Sequence, residues 1–414
     1  MIRIIPSSGA AKLLKRRAAR LTEAEETVRP ILAAVRDRGD RALVEFARRF
    51  DGLDRKTVRV PERELAEAAK HLPRALRSAV REASKNIRAF AGMQLPRPKM
   101  ESLAPGLAAG QIVRPLDAVG AYIPSGRYPL PSTLMMTVIP AQVARVPRIC
   151  VASPRPVPAI YGVAAMLGVK DVFQMGGAHA IAAFAYGTRT VPKVDRIVGP
   201  GNIYVAAAKK LLAGEVGIDF IAGPTEIVII AEEGNPKVLA LDMLAQAEHD
   251  VDAAAILITT SASLARAVAL SIVVELVQLP TRAVAEKAIE KNSAIILVES
   301  LDEAFELANN FAPEHLSIPS RALLGKVRHA GSVFVGPDSP EAAGDYASGP
   351  NHVLPTSGAA RLRGGLSAAD FVKVISVQEL SFRALRRLKP TITTLARAEG
   401  LEAHARSVEA RRND

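Results

Sequence analysis

The feature that most constrains the fold is an alternation of short apolar runs with helical stretches, which begins at Val119. The runs VGAYIP, RICVAS, DVFQM and VDRIVG are rich in β-branched residues, and helical stretches such as STLMMTVIPAQVARV and AHAIAAFAYG lie between them. This rhythm is typical of a doubly wound parallel sheet, because each parallel crossover needs a covering helix. We therefore predict one α/β domain over residues 119–221.

A second alternation begins near Thr225. The runs EIVIIAE, AAILITT, SAIILVES and GSVFVG are predicted strands with helices between them. Together the two sets predict an α/β fold with two Rossmann-like, doubly wound parallel-sheet domains.

The flanking segments are predicted to be helical extensions. TEAEETVRPILAAVRDRGDRALVEFARRFDG has the pattern of two amphipathic helices around Gly39, and the stretch from Glu62 to Phe90 continues it. The Pro-rich stretch LPRPKMESLAPG suggests a boundary. At the C-terminal end, SFRALRRL and LARAEGLEAHARSVEARR are predicted helices with little core of their own. We expect this tail to pack on a partner subunit.

Composition excludes several classes of protein. No apolar run of about twenty uncharged residues predicts a transmembrane helix, and the N-terminus lacks a secretory signal. The single cysteine, Cys150, excludes an intrachain disulfide and a cysteine-based structural zinc site. The net charge of +12 is spread along the chain among acidic residues, and aromatic residues are few. We therefore predict a cytoplasmic protein without a nucleic-acid or membrane partner.

The helix VLALDMLAQAEHD ends in a polar cluster. Gln246 and His249 are three residues apart, so both project from one side of the helix. The simpler interpretation is a helix end in solvent, where the helix dipole favours a histidine. The segment alone does not decide between that interpretation and a functional site.

Two further segments could carry chemistry. GDYASGPNHVLP is punctuated by glycine and proline, and it offers the carboxylate of Asp345 and the imidazole of His352, both of which zinc accepts. No compact zinc motif such as HExxH or CxxC is present. Glu314 and His315 could form a general-base unit. On a strand these neighbours would point to opposite faces, whereas in a loop both could face a site.

The stretch VGPGNIYVAAAKK places Gly199 and Gly201 just before a predicted helix that starts near Asn202. That arrangement suits an anion or a cofactor phosphate at a helix N-terminus, although the third glycine of the dinucleotide fingerprint is missing. A plain turn between strand and helix is the alternative. The phosphate-binding loop of nucleotide hydrolases is absent.

Eight motifs resemble, in order, those of the histidinol dehydrogenase family, and together they cover nearly the whole chain. They are GAYIPSGRYPLPST, GGAHAIAAFAYGT, GPGNIYVAAAKK, AGPTEIVIIA, LAQAEHD, FAPEHLSI, SPEAAGDYASGPNHVLPTSGAAR and EGLEAH. The resemblance implies a homodimer with shared active sites that uses NAD and one zinc ion per subunit. Its activity would be the two-step oxidation of L-histidinol through the aldehyde to L-histidine, the last steps of histidine biosynthesis.

The resemblance also implies roles for individual residues. Gln246, His249 and Asp345 would bind zinc from one subunit, and His404 would bind it from the other. Glu314 and His315 would transfer protons. The substrate would contact His315, the four zinc ligands, and a further set made of Thr225, Glu341, His352 and Glu399. NAD would contact Tyr122, His179 and Asn202.

Two positions depart from the family pattern. His179 stands where the family usually has glutamine, which puts that NAD contact in doubt, and Thr225 replaces the usual serine while keeping its hydroxyl.

The implied domains are an N-terminal extension (1–20), a main domain with the metal and substrate site (21–118 and 222–362), an NAD-binding domain (119–221) and a C-terminal helical tail (363–414).

Two alternatives remain open. One is a dehydrogenase of the same fold that oxidises another polar alcohol or a diol, such as a sulfonated diol. The other is a basic nucleic-acid-binding protein on a degenerate enzyme scaffold. The motif EGLEAH favours histidinol as the substrate over another alcohol or a diol. The intact set of four implied zinc ligands argues against a nucleic-acid-binding protein.

Overall fold

The structure, a computed structural model, describes residues 2–10, 13, 21–125, 129–221 and 223–411. The chain forms two compact units, of which the first comprises Met1–Gln94 and Leu116–Phe371 and the second Leu95–Pro115 and Val372–Asp414. Part of the motif GAYIPSGRYPLPST, residues 126–128, lies outside the described residues. Among the described helices, none has the length and apolarity needed to cross a bilayer.

The described strands, in chain order, are β1 (Arg3–Pro6), β2 (Lys99–Ala104), β3 (Leu107–Pro115), β4 (Ala118–Tyr122), β5 (Arg148–Ser153), β6 (Asp171–Gln174), β7 (Arg196–Val198), β8 (Gly217–Ile218), β9 (Glu226–Ile230), β10 (Ala254–Thr259), β11 (Ala294–Leu297), β12 (His315–Ile318), β13 (Ser332–Val335) and β14 (Val372–Leu380). The described α-helices are α1 (Leu21–Arg38), α2 (Asp40–Asp51), α3 (Glu62–His71), α4 (Arg74–Met93), α5 (Pro131–Val143), α6 (Pro158–Met166), α7 (Gly177–Tyr186), α8 (Ile203–Leu212), α9 (Pro236–Ala247), α10 (Ala262–Leu276), α11 (Arg282–Asn292), α12 (Leu301–Phe311), α13 (Glu341–Tyr346), α14 (Phe382–Ala398) and α15 (Glu402–Glu409).

The first α/β set forms a five-stranded, fully parallel sheet with the order β6-β5-β4-β7-β8. The chain leaves β4 toward β5 and β6 on one side and later returns to β7 and β8 on the other. The strand order therefore reverses between β4 and β7, which is the place where sheets of this kind bind ligands at their carboxyl ends.

The second set forms a six-stranded, fully parallel sheet with the order β1-β11-β10-β9-β12-β13. Its central strands are buried on both faces: Ile227 and Ile229 pack into one core, and Val228 and Ile230 pack into the other. This double burial explains the continuous apolar run of β9. The predicted fold class is confirmed.

The predicted N-terminal extension, residues 1–20, contributes the edge strand β1 to this sheet, and its residues 11–12 and 14–20 lie outside the described part. The helices that follow pack elsewhere. Val28 of α1 and Leu43 of α2 share a core with Phe173 and Phe184 of the five-stranded sheet and its helices. The assignment of residues 21–118 to one domain with residues 222–362 stays a prediction.

The amphipathic stretch from Glu62 to Phe90 forms two helices, α3 and α4. Leu72 leaves the helical region, with φ −61° and ψ +134°, and Pro73 precedes the first residue of α4. A proline disfavours helical geometry in the residue before it, which explains the break.

The second unit contains a three-stranded antiparallel sheet, β14-β3-β2, and the helices α14 and α15. The Pro-rich stretch LPRPKMESLAPG starts at the boundary of this unit, Leu95, and its central residues, Lys99–Ala104, form strand β2. Strands β2, β3 and β14 were not predicted from the sequence, because none of their residues is buried and none of the three shows a buried apolar run.

Candidate active site and metal centre

The polar end of α9 lies at the amino edge of the six-stranded sheet, because α9 runs antiparallel to β10, which starts at Ala254. Gln246 sits in the last turn of α9 and is fully buried, whereas His249 follows the helix and is exposed. Of the two side chains predicted to share one side of the helix, Gln246 is therefore buried at this edge and His249 is exposed to solvent.

Glu314 and His315 reach the same edge from the neighbouring strand. His315 is the first residue of β12 and pairs with Ile227 of β9, while Glu314 precedes the strand. Strand alternation therefore does not separate the two side chains, and both are buried. His315 Nδ1 lies 3.8 Å from Glu314 Oε2.

The carboxyl group of Glu314 has two polar contacts at one of its oxygens. Thr225 Oγ1 lies 2.5 Å from Glu314 Oε2, and the backbone N–H of Glu226 donates to the same oxygen at 3.0 Å. Thr225 and Glu226 stand at the start of β9, so the amino ends of two adjacent strands fix the orientation of this group.

Helix α13 brings two more carboxylates to His315. Glu341 Oε1 lies 3.3 Å from His315 Nδ1, and Asp345 Oδ1 lies 3.9 Å from His315 Nε2. His315 Nε2 is buried and makes no hydrogen bond within the described part of the chain. It is therefore the ring atom that remains available to a bound molecule.

Burial shifts the protonation equilibria of these groups. It raises the pKa of Glu314 and of Glu341 well above the usual value, and it raises the pKa of Asp345 to about 6. Burial, reinforced by nearby His249, lowers the pKa of His315 to about 3. Three clustered carboxyl groups beside a neutral imidazole form an environment that a bound cation would stabilise.

The donor set fits a divalent metal ion. His249, Glu341 and Asp345 each offer one ligand atom, and these atoms lie within 4.8 Å of one another. Imidazole nitrogen and carboxylate oxygen are ligands that zinc accepts. The resemblance implied Gln246 as a ligand and Glu341 as a substrate contact, and the cluster adds Glu341 to the groups that could bind the metal.

The amide of Gln246 lies between Thr225, His315 and Glu341. With its nitrogen toward Glu341, Nε2 donates to Glu341 Oε1 at 2.7 Å and Oε1 accepts from Thr225 Oγ1 at 2.6 Å, so both amide atoms have suitable partners. The single hydroxyl proton of Thr225 then points to Gln246. The 2.5 Å contact between Thr225 and Glu314 in turn requires a proton on Glu314. This agrees with the raised pKa of Glu314.

His352 uses both ring nitrogens within the protein. Nδ1 lies 2.8 Å from the backbone oxygen of Asp345, and Nε2 lies 3.0 Å from Thr133 Oγ1. Since a carbonyl only accepts, Nδ1 carries the proton and Nε2 accepts from Thr133. Burial lowers the pKa of His352 to about 4, which keeps the ring neutral. The implied substrate contact of His352 stays a prediction.

Glu399 and His404 belong to the second unit. Glu399 follows α14 and His404 lies in α15, and both side chains are exposed. They are thus not among the residues that the first unit brings together.

The residues implied for NAD stand at the carboxyl end of the five-stranded sheet. Tyr122 ends β4, and its hydroxyl accepts from the backbone N–H of Gly177 at 3.2 Å. Asn202 follows β7, and its Oδ1 accepts from the backbone N–H groups of Tyr204 and Val205, each at 3.1 Å. The side chain of Asn202 thus caps the N-terminus of α8.

His179, the departure from the family pattern, has a buried acidic partner. Its Nε2 lies 2.7 Å from Asp51 Oδ2, and the backbone N–H of Gly176 donates to the same oxygen at 2.9 Å. Phe46 and Phe50 lie beside the imidazole ring, with centroids 5.9 and 6.1 Å away. Since the carboxylate accepts, Nε2 of a neutral ring carries the proton and Nδ1 is left as an acceptor.

Sequence reasoning missed Asp51 and Asp242. No sequence signal links Asp51 to His179, because they are far apart in the chain. Asp242 lies one turn before Gln246 on the same helix side, so the spacing rule used for Gln246 and His249 could have found it. Burial raises the pKa of Asp242 to about 6.

Comparison with known proteins adds an independent finding. The family model described as histidinol dehydrogenase matches residues 14–412. The chain is 48% identical over 398 residues to histidinol dehydrogenase of Methanothermobacter thermautotrophicus, covering 94% of this chain and 93% of that protein. It is 47% identical over 399 residues to that of Halalkalibacterium halodurans, covering 94% of each. The crystal structure of histidinol dehydrogenase from Elizabethkingia anophelis superposes with a TM-score of 0.95 at 34% identity, covering 99% of this chain and 98% of that one.

Proposed function

The chain belongs to the histidinol dehydrogenase family, and we propose that it oxidises L-histidinol to L-histidine in two NAD-linked steps at a site with one zinc ion per subunit. It is an oxidoreductase of histidine biosynthesis that acts on a small molecule. The observation that carries the mechanism is the cluster of buried Glu314, His315 and Glu341 with half-buried Asp345 at the amino edge of the six-stranded sheet. A cytoplasmic location and the lack of nucleic-acid and membrane partners remain predictions.

In this proposal Gln246, His249 and Asp345 hold the zinc ion together with a histidine from the other subunit. Zinc, when bound, supplies a template that orients the nitrogen atoms of the substrate. Glu341 accepts from the amide nitrogen of Gln246 and Thr225 contacts the amide oxygen, so the two neighbours fix the orientation of the amide. Second partners of this kind orient metal ligands.

His315 takes the proton in the first oxidation. Its ring is neutral, because burial lowers its pKa to about 3, and its Nε2 has no hydrogen-bond partner within the described residues. Nε2 therefore accepts the hydroxyl proton of the substrate as hydride leaves.

Glu314 acts in the second oxidation, in which water adds to the aldehyde. Burial raises its pKa, and a higher pKa makes the ionised carboxylate a stronger base. Thr225 and the backbone N–H of Glu226 contact Oε2, and in this proposal the ionised carboxylate accepts the proton of water through Oε1.

We propose a homodimer in which the second unit serves the partner subunit. Its exposed apolar side chains support this, because burying them against a partner subunit would stabilise the dimer. They are Met100, Leu103, Val374, Ile375, Phe382, Leu395 and Leu401. His404 and Glu399, exposed on the same unit, would complete the site of the partner.

The test is NADH production by the purified, zinc-loaded protein with L-histidinol, run beside other amino alcohols and a sulfonated diol. We expect turnover with L-histidinol and at least about a hundredfold lower kcat/KM with diols that lack the imidazole and the amine. A preference for a diol would overturn the substrate in favour of the related dehydrogenases.

A further inference from the structure

The turn that follows β7 is held by a buried ion pair. Lys209 of α8 and Asp219 after β8 have side chains that are 2% and 0% exposed, and Lys209 Nζ lies 2.6 Å from Asp219 Oδ1. Removing two charges from water costs several kcal/mol for each ion, and their attraction rarely exceeds that cost by much. Net stabilisation therefore does not by itself explain so deeply buried an ion pair, and we expect a further role.

Both backbone polar groups of Gly199 are bound by this pair. Lys209 Nζ donates to the carbonyl oxygen of Gly199 at 2.6 Å, and the N–H of Gly199 donates to Asp219 Oδ2 at 2.7 Å. The backbone N–H of Phe220 donates to Asp219 Oδ1 at 2.7 Å and holds the carboxylate itself. The first residue of the turn is thus clamped on both sides.

The Lys209–Asp219 pair holds the turn close to the end of β4. Gly199 has φ +109°, a conformation that side-chain-bearing residues rarely adopt, and a Cβ atom there would lie 2.1 Å from the carbonyl oxygen of Tyr122. The ends of β4 and β7 therefore meet without an intervening side chain. This is the point where the strand order of the sheet reverses.

We propose that Lys209 and Asp219 are positioning residues for the dinucleotide cofactor, because they set the shape of the Gly199–Asn202 turn beside Tyr122. The inference rests on the proposed NAD-linked function, in which Tyr122 and Asn202 contact the cofactor. Both side chains are buried, so in this proposal they act through Gly199 and not by contact with the cofactor. A small displacement of a positioning group lowers binding or rate steeply.

The main test is Lys209→Met in the full-length, zinc-loaded protein. This variant keeps the length and most of the volume of the side chain but leaves the Gly199 carbonyl without its donor. We expect KM for NAD, and the dissociation constant of NAD measured by equilibrium binding, to rise about tenfold or more, with zinc content and KM for L-histidinol unchanged. A purely structural role would lower thermal stability and leave KM for NAD as in the wild type, and that result would overturn the proposal.

The next residue supplies a matched control. Lys210 lies on the same helix and pairs with Glu25 at 2.6 Å, with its side chain 47% exposed. Lys210→Met makes the same chemical change outside the turn, and we expect it to leave both KM values unchanged. An equal rise in KM for NAD in both variants would contradict the assignment.

Two further variants keep the test decisive if Lys209→Met does not fold. Gly199→Ala disturbs the turn without removing a charge and should raise KM for NAD in the same way. Asn202→Ala tests the cofactor site itself. If Asn202→Ala raises KM for NAD and Gly199→Ala does not, the positioning role of Lys209 and Asp219 is wrong, whereas the proposed NAD site is supported. If Asn202→Ala leaves KM for NAD unchanged, the proposed NAD site is wrong, and so is the positioning role that depends on it.

Discussion

At the scale of the residue, the two ring nitrogens of His315 have different surroundings. Nδ1 faces Glu341 at 3.3 Å, whereas Nε2 has no hydrogen-bond partner in the described chain. Glu314 has one oxygen held by Thr225 and Glu226. Two potential bases thus share one pocket, with environments that push their pKa values in opposite directions. This separation suits a site that moves protons in two successive oxidations.

Substitution of the two bases should separate the half-reactions. We expect His315→Asn to slow oxidation of both L-histidinol and the aldehyde by about a hundredfold or more, because both steps need its ring. Glu314→Gln should slow aldehyde oxidation more than alcohol oxidation, since only the aldehyde step needs an activated water. Steady-state rates with each substrate measure both effects. Equal losses for Glu314→Gln in the two half-reactions would leave Glu314 as an orienting group only.

Asp242 should make stability depend on pH in the metal-free protein. Its pKa is raised to about 6 by burial, above its ordinary value of 3.8. The folded state therefore binds more protons than the unfolded state between these values, so its contribution to stability is present below pH 4 and is lost as pH rises through 6. Asp242→Asn removes the ionisable group and with it the loss of stability at higher pH. We expect the melting temperature of the variant minus that of the wild type to be larger at pH 7.5 than at pH 4. A melting-temperature difference that does not change with pH would contradict the raised pKa of Asp242.

At the scale of the element, α13 sets the distance between two carboxylates and His315. This short helix packs closely on β13: a Cβ atom at Gly344 would lie 2.7 Å from Cε1 of Phe334. Glu341 and Asp345 flank Gly344 in the sequence. The absence of a side chain at Gly344 therefore lets the helix bring both carboxylates to the amino edge of the sheet.

Gly344→Ala should push α13 away from β13. We expect zinc affinity, measured by competition with a chelator, to fall about tenfold, because overpacking of a buried contact costs 1–3 kcal/mol. Ala342→Ser, a change at an exposed position of the same helix, is the control and should leave the affinity unchanged. Unaltered affinity in Gly344→Ala would show that the helix tolerates the side chain without moving its carboxylates.

The buried elements could be predicted from the sequence, and the exposed or short ones could not. β9 and β10 are continuous apolar runs because helices cover both faces of their sheet. β12 is four residues long and begins with a histidine, so its pattern indicated a loop as readily as a strand. Helical spacing predicted that Gln246 and His249 share a side. The approach of Glu341 to His315, and of Asp51 to His179, depends on tertiary packing that no local pattern encodes.

At the scale of the whole molecule, the chain has one unit rich in core and one with little core. The second unit exposes large apolar side chains and carries His404 and Glu399. In the proposed dimer this unit serves the partner subunit. A twofold arrangement would then make both sites depend on both chains.

Mixed dimers test the shared site. His404→Ala and His315→Ala are each expected to be inactive, and the two are unfolded and refolded together. One site of a mixed dimer combines the intact body of the first chain with the intact second unit of the other. Random pairing makes about half the dimers mixed, each with one complete site, so activity should recover to about a quarter of wild type. No recovery, with mixed dimers confirmed by mass, would place His404 in the site of its own subunit.

The central claim is that one site carries out both oxidations, and the yield of NADH from a limiting amount of L-histidinol tests it most directly. With excess NAD and zinc-loaded protein, two NADH should form for each L-histidinol consumed, with L-histidine as the product and little free aldehyde at any time. A yield of one NADH, with aldehyde released into solution, would show that the site completes only the first oxidation and would contradict the account.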